Sequence, residues 1–204
     1  YEMRPKIKTE AHQTKYLAEL VCSNSFRSDD KEYNAVGVLH EELRIADSLI
    51  MKSADHNKVP AGSALAVDRD NFSKEVNKTI KSIPNINIIN EEVRSLDEFK
   101  NQPVIVSTGP LTSKTLTESI KIKTSENSLA FYDAIAPIVY EETINMSVAW
   151  KQSRYDKGNG DDYINCPLSK EEYYQFIERI KKAPKMEFKE FEDTPFFEGC
   201  MPIE

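Results

Sequence analysis

Short apolar runs of about four residues alternate along this chain with longer segments whose apolar residues recur at spacings of three and four, and this alternation narrows the choice of fold class. From Ala35 to about His56, Val36, Leu39, Leu43, Ala46, Leu49 and Ile50 keep the helical spacing with charged residues between them. The Pro60-Ala61-Gly62 breaker is followed by the apolar run Ala64 to Val67, which reads as a strand. Asp70 then stands where an N-cap belongs, ahead of Phe72, Val76 and Ile80. Ile86 to Ile89 and Pro103 to Val106 are β-branched runs of the kind buried in a mostly parallel sheet. Strands alternating with helices predict an α/β class.

The pattern changes after Leu111, where a Thr/Lys-rich helix, an apolar run through 131–139 and a polar stretch from Arg154 to Asp162 follow. The expected division is therefore 1–110, 111–190 and a return segment 191–204. Ser169 caps a further helix, with Glu171 and Glu172 in its first turn and Arg179, Lys181 and Lys182 in its last, so both ends suit the helix dipole. The opening Tyr1-Glu2-Met3-Arg4-Pro5 reads as the end of a strand entering a loop, and both chain ends read as cut in mid-fold.

Charge and cysteine content limit the chemistry. A net charge of -7 argues against nucleic-acid binding by charge alone, although Lys151, Arg154 and Lys157 form a basic cluster, as do Arg179, Lys181, Lys182 and Lys185. Solvated helix faces are the bland reading of both. The absence of an apolar stretch of membrane-spanning length and of a signal-peptide layout predicts a cytoplasmic protein with no membrane partner. Cys22, Cys166 and Cys200 form no C-x-x-C pair, which speaks against a zinc site or a disulfide framework. Cys22 ends a hydrophobic run at small polar residues, and Cys200 sits in a tight turn between aromatic and proline residues. Both placements suit a held, accessible thiol, with an inert buried thiol as the alternative.

The three histidines show no metal spacing, so no metal is expected. His40 reads as a surface residue, while His12, in the loop before the Cys22 segment, is kept as a site candidate. Asp68 and Arg69, at a strand end before a helix, are either a stabilising junction or substrate-facing groups. Glu2 closing a strand matches the acidic residue that hydrogen-bonds a cofactor ribose in a Rossmann unit, yet no G-x-G-x-x-G loop exists among the six glycines.

Taken together, the segments Tyr1 to Pro5, Ala18 to Ser25, Val59 to Gly62, Ala64 to Arg69, Ser107 to Thr112, Phe131 to Ala134, Ser153 to Tyr155, Tyr163 to Pro167 and Phe197 to Pro202 resemble, in order, the motifs of the TrmFO family. These are the methylenetetrahydrofolate- and FAD-dependent tRNA (uracil-5-)-methyltransferases. The resemblance implies a partial glutathione-reductase-like Rossmann FAD-binding domain, covering 1–110 and 191–204, with a smaller inserted α/β domain at 111–190. It implies FAD held by Glu2, Arg4 and the Ser107-Thr108-Gly109 turn, with the Gly-rich loop and the C-terminal part missing. Methylenetetrahydrofolate is the implied one-carbon donor, and NAD(P)H the implied reductant.

The implied reaction adds a methyl group to C5 of a uridine in the tRNA T-loop, with Cys200 as nucleophile and Cys22 assisting proton removal. His12, Asp68, Arg69, Asp133 and Arg154 are the implied substrate-side residues, and Cys166 is read as structural. The partners implied are tRNA, or rRNA, and folate, with no DNA. The alternatives are a paralogue methylating 23S rRNA, a related folate and FAD enzyme acting on the wobble uridine, and a catalytically silent binding module. After Ser25 the family commonly continues Leu-Arg-Gly-Asn, whereas this chain has Phe26-Arg27-Ser28-Asp29, and Ser63 stands where a second glycine is frequent.

Overall fold

The computed structural model describes residues 1–9, 11–21, 23–109, 111–125, 139–156 and 160–184. The chain forms two compact units, one made of Tyr1–Glu10, Ile89–Ile135 and Ser169–Glu204, the other of Ala11–Ile88 and Ala136–Leu168. We refer to these as the first and second units. Their borders differ from the expected 110/111 and 190/191, because contacts join segments that are remote in sequence, whereas a reading along the chain keeps neighbours together.

The second unit holds most of the regular structure. Strand β1 (Ser25–Ser28) is followed by helices α1 (Ala35–Ile45) and α2 (Leu49–His56), strands β2 (Lys58–Val59) and β3 (Ala64–Val67), and helix α3 (Arg69–Ser82). The sheet order is β1-β3-β2, antiparallel throughout. The expected single helix from Ala35 to His56 is two. Asp47 adopts φ +62, a left-handed conformation that ends α1, and the Ser48 side chain then caps α2 by accepting from the Met51 N–H. The cap of α3 is Asp68 rather than the expected Asp70: its Oδ1 accepts from the Asn71 N–H at 2.9 Å.

The core of this unit is Met51, Ala54, Leu65, Val67, Phe72 and Val76, all essentially inaccessible to water, with Leu20, Phe26 and Ile80 packed around them. Alternation along β3 and the three-and-four spacing of α3 bring these side chains to one layer. Phe26 meets Phe72 edge to face, with ring centroids 5.4 Å apart. At Gly37, within α1, a Cβ would lie 2.3 Å from the Asp30 carbonyl carbon, so only glycine lets the 30–31 loop cross this close.

A second antiparallel pair, β4 (Trp150–Lys151) with β5 (Ile164–Asn165), also belongs to this unit.

In the first unit the described elements are the 3-10 turn Leu96–Phe99, helix α4 (Lys114–Thr124) and helix α5 (Lys170–Lys182). Ser169 caps α5 as the sequence predicts, and Glu172 reaches back to the Ser169 N–H to complete a reciprocal capping box. The β-branched runs at Ile86–Ile89 and Val104–Val106, expected as buried parallel strands, are strands in neither case, and Ile105 is 91 % exposed. A strand needs neighbours to take its backbone hydrogen bonds, and among the described residues no ladder forms there. The mixed helix-and-sheet composition agrees with the sequence expectation; a parallel sheet is absent among the described residues. No described helix is long and apolar enough to cross a membrane.

Candidate functional site

The expected cofactor residues all fall in the first unit. Glu2 is tied back to the chain by its N–H, which donates to the Ile89 carbonyl at 2.9 Å. The Arg4 guanidinium grips the Glu2 carboxylate as a fork, Nε to Oε1 and a terminal nitrogen to Oε2, both at 2.9 Å, and the Arg4 N–H adds a third bond to Oε1. Arg4 is 5 % exposed, and its carbonyl accepts from Asn90 Nδ2 at 2.6 Å. The fork fixes the plane of the carboxylate. Sequence reasoning paired Glu2 with a cofactor but gave no sign that Arg4 orients it.

Ser107, Thr108 and Gly109 are exposed. Thr112 Oγ1 donates to the Gly109 carbonyl at 2.8 Å and lies 2.7 Å from Thr108 Oγ1, so the turn is closed by hydroxyls ahead of α4. Gly109 has φ +73, and a Cβ added there would meet nothing within 4 Å. The left-handed turn therefore presents bare backbone to open space. Behind it, the Ser113 and Thr115 hydroxyls hydrogen-bond Glu92 and hold its carboxyl below the usual range, which anchors the start of α4. Glu2, Arg4 and the Gly109 turn, expected to hold a flavin dinucleotide, all lie in the first unit. The sequence offers no glycine-rich loop for its pyrophosphate.

In the second unit lie His12, Asp68, Arg69 and Arg154. His12 and Arg69 are half-buried. The Asp68 carboxylate is used in capping α3, a stabilising role beside the substrate role expected of it. Cys22, Asp133 and Cys200 lie outside the described residues. Described residues on both sides of Cys22 are nonetheless held. Upstream, the Glu19 carboxylate accepts from the Gln13 and Thr14 N–H groups and the Thr14 hydroxyl, and Ser73 Oγ donates to the Ala18 carbonyl at 3.1 Å. Downstream, Asn24 exchanges bonds with Val67: its side-chain amide donates to the Val67 carbonyl at 2.9 Å, and its own carbonyl accepts from the Val67 N–H at 3.0 Å.

The departures from the family pattern have packing roles. Phe26 enters the core, and Asp29 accepts from His40 Nδ1 at 3.0 Å and from Arg44 at 3.0 Å. Arg44 also grips Asp55, which holds the Asp55 carboxyl below its usual range and raises the guanidinium further. His40, expected at the surface, is 5 % exposed and belongs to this network. Charged neighbours in sequence suggested solvent, but the ring's partner in space is Asp29, from another segment. Ser63 is outside the left-handed region, so its backbone makes no demand for glycine. Cys166, expected as a structural residue, is an exposed free thiol.

One arrangement had no sequence signal. The Gly62 N–H donates to Asp162 Oδ2 at 2.7 Å, and the Tyr163 hydroxyl donates to the Ala61 carbonyl at 2.7 Å. Two motifs about a hundred residues apart, Pro60-Ala61-Gly62 and Asp162-Tyr163, thereby form one site in the second unit. The Asp162 N–H donates to Ser153 Oγ, and Ser153 is 2 % exposed, which fixes the loop between β4 and β5 at its base.

The two units thus define a mixed helix-and-sheet protein with an arginine-gripped carboxylate and an open glycine turn in one unit and a polar-tied, motif-bearing loop cluster in the other. Residues 3–204 match the family model described as glucose inhibited division protein A, and the chain belongs to that family. It is 58 % identical over 209 residues to the methylenetetrahydrofolate--tRNA-(uracil-5-)-methyltransferase TrmFO of Bartonella henselae, a match covering 100 % of this chain and 44 % of the relative. The proteins of the same name from Paramagnetospirillum magneticum and Bradyrhizobium diazoefficiens are 57 % and 58 % identical, again over 100 % of this chain and over 46 % and 44 % of their own length. The chain spans somewhat under half the length of these relatives.

Proposed function

We propose that this chain is part of a folate- and FAD-dependent tRNA (uracil-5-)-methyltransferase that methylates C5 of a uridine in the T-loop. The observation that carries the reading is the identity of 57 to 58 % across the entire chain with relatives of that printed name. The first unit is the flavin-holding part, of glutathione-reductase-like type, since Glu2, Arg4 and Ser107 to Gly109 all belong to it. The second unit is the inserted, substrate-side part, with His12, Asp68, Arg69 and Arg154.

When bound, the flavin supplies the reducing equivalents that turn a folate-derived methylene unit into a methyl group, with NAD(P)H as their source. The chain's own part is acid-base and nucleophilic. The Cys200 thiolate adds to C6 of uracil, the electron pair moves to C5, and C5 bonds the methylene carbon; Cys22 takes the C5 proton as the methylene carbon's bond to its carrier nitrogen breaks, a hydride from the reductant completes the methyl group, and the Cys200–C6 bond breaks. A thiol of ordinary pKa, about 8.5, is only a few per cent thiolate at neutral pH, so a cationic or hydrogen-bonding neighbour is expected beside Cys200. Asp133 is the further substrate-side residue. The hydrogen bonds of Ala18, Glu19 and Asn24 tie down the described residues that flank Cys22 in sequence.

The test uses the full-length protein with methylenetetrahydrofolate, FAD, NAD(P)H and a tRNA transcript, read as 5-methyluridine by mass spectrometry of the digested RNA. Methylation of the tRNA, lost in Cys200→Ala while FAD stays bound, is the expected result. Methylation confined to a 23S rRNA fragment would move the substrate, and no methylation of either RNA would sink the reading. Glu2→Ala should lower flavin content more than RNA affinity.

A further inference from the structure

The Arg154–Asp156 turn, between β4 and β5, contains Tyr155 at φ 56 and ψ 33. A tyrosine in the left-handed region is unfavourable, because its Cβ crowds the following carbonyl. Burial of the ring does not offset it, since Tyr155 is 77 % exposed. The Arg154 guanidinium carbon lies 5.1 Å from the Tyr155 ring centroid, over the ring, and a guanidinium nitrogen is 3.4 Å from the hydroxyl. One ring face is therefore covered by a cation, while the exposure of the side chain leaves the other to solvent. The turn is anchored from below: the Ser153 N–H donates to the Gly160 carbonyl at 3.0 Å, and Ser153 Oγ accepts from Asp162. Exposed Lys151, on β4, adds positive charge to the same segment, against exposed Asp161.

A strained, outward-facing aromatic ring backed by a guanidinium has little to gain within the fold. It has the chemistry of a stacking platform: every nucleobase offers a π-face, and a neighbouring arginine adds cation–π attraction and a donor fork for the adjoining phosphate. We infer that Tyr155, backed by Arg154, stacks on an unpaired base of the RNA substrate and positions that strand. The inference rests on the proposed function, because it takes RNA as the substrate. It adds a contact that reconciles an acidic chain with an RNA partner: stacking needs no net positive charge, whereas phosphate binding alone does.

Photocrosslinking on the full-length protein tests this, using a tRNA transcript carrying 5-iodouridine, with adducts mapped by peptide mass spectrometry. A base stacked on Tyr155 gives an adduct at that residue, and excess unlabelled transcript competes it away while an equal concentration of UMP or AMP does not. Tyr155→Gly separates the ring from the backbone, because glycine takes the left-handed conformation without strain and the variant should fold at least as well as the parent. It should bind the transcript about tenfold more weakly, while Tyr155→Phe stays within about twofold. An unchanged affinity in Tyr155→Gly, or RNA bound and methylated with no adduct at Tyr155, would overturn the stacking inference and leave the methyltransferase reading standing. Equal competition by a mononucleotide would overturn an RNA strand as the occupant. A full-length parent that neither binds nor methylates RNA removes both.

Discussion

The two units bury their apolar residues very differently. In the second, Met51, Leu65, Val67, Phe72 and Val76 are each at most 2 % exposed, and they come from α2, β3 and α3, so every element of that unit's centre contributes. In the first, Leu116 is the one large hydrophobic residue buried among the described residues. The amphipathic α5 buries none of its residues, and Tyr173 and Phe176, one turn apart on its apolar stripe, are 51 % and 47 % exposed. Val104 and Ile105 stand out from the chain in the same unit. The stability of the second unit comes from packing, at about 25 cal/mol for each Å² of apolar surface removed from water. The described helices of the first unit draw instead on local devices such as caps and short-range ion pairs, which contribute a few tenths to about 1 kcal/mol each.

Four substitutions break or sharpen that comparison. Phe72→Ala empties the centre of the second unit and should cost about 4 kcal/mol, read as a fall in the urea midpoint, while Leu116→Ala should cost about half as much. Equal losses from the two would mean that the first unit is packed as tightly as the second. Gly37→Ala forces a Cβ onto the Asp30 backbone and should destabilise the same transition by about 2 kcal/mol; a neutral result would mean that the loop yields there. Ser169→Ala removes the capping box of α5 and should cost about 1 kcal/mol of local helix stability, visible as faster amide exchange in α5 with no change in α3. A global loss instead would show that α5 is packed into a core.

The smallest effect is electrostatic. Asp55 has its folded-state pKa lowered, first by the Arg44 hydrogen bond, so its contribution is present above the unfolded value of about 3.9 and is lost as pH falls through the folded one. The group is partly exposed and solvent-screened, so Asp55→Asn should cost only about 0.5 kcal/mol at neutral pH, and the difference should vanish as pH falls through the lowered folded-state pKa. A difference that persists in acid would assign the loss to packing.

What the sequence made legible follows the same line. Signals carried by residues within one helical turn of each other came through: the Ser169 cap, the charges at both ends of α5 and the helical spacing around Phe72. The break at Asp47-Ser48 was local too, a left-handed residue followed by a cap, but it lay inside an uninterrupted apolar spacing that masked it. His40 was misread because its partner Asp29 lies eleven residues away, on another segment. For the candidate site, motif resemblance named Glu2, Arg4 and the Gly109 turn, but it foresaw neither the fork that joins Arg4 to Glu2 nor the Gly62 to Asp162 bond. Hydrogen bonds between remote residues leave no periodicity to detect. Val104 to Val106 has strand composition, and composition cannot say whether a neighbouring strand is at hand.

The Gly62 to Asp162 bond also bears on how the chain is held together. Closing a flexible loop of a hundred residues costs about 4 kcal/mol of chain entropy, more than one hydrogen bond returns. The bond therefore depends on other contacts to bring the segments bearing Gly62 and Asp162 together.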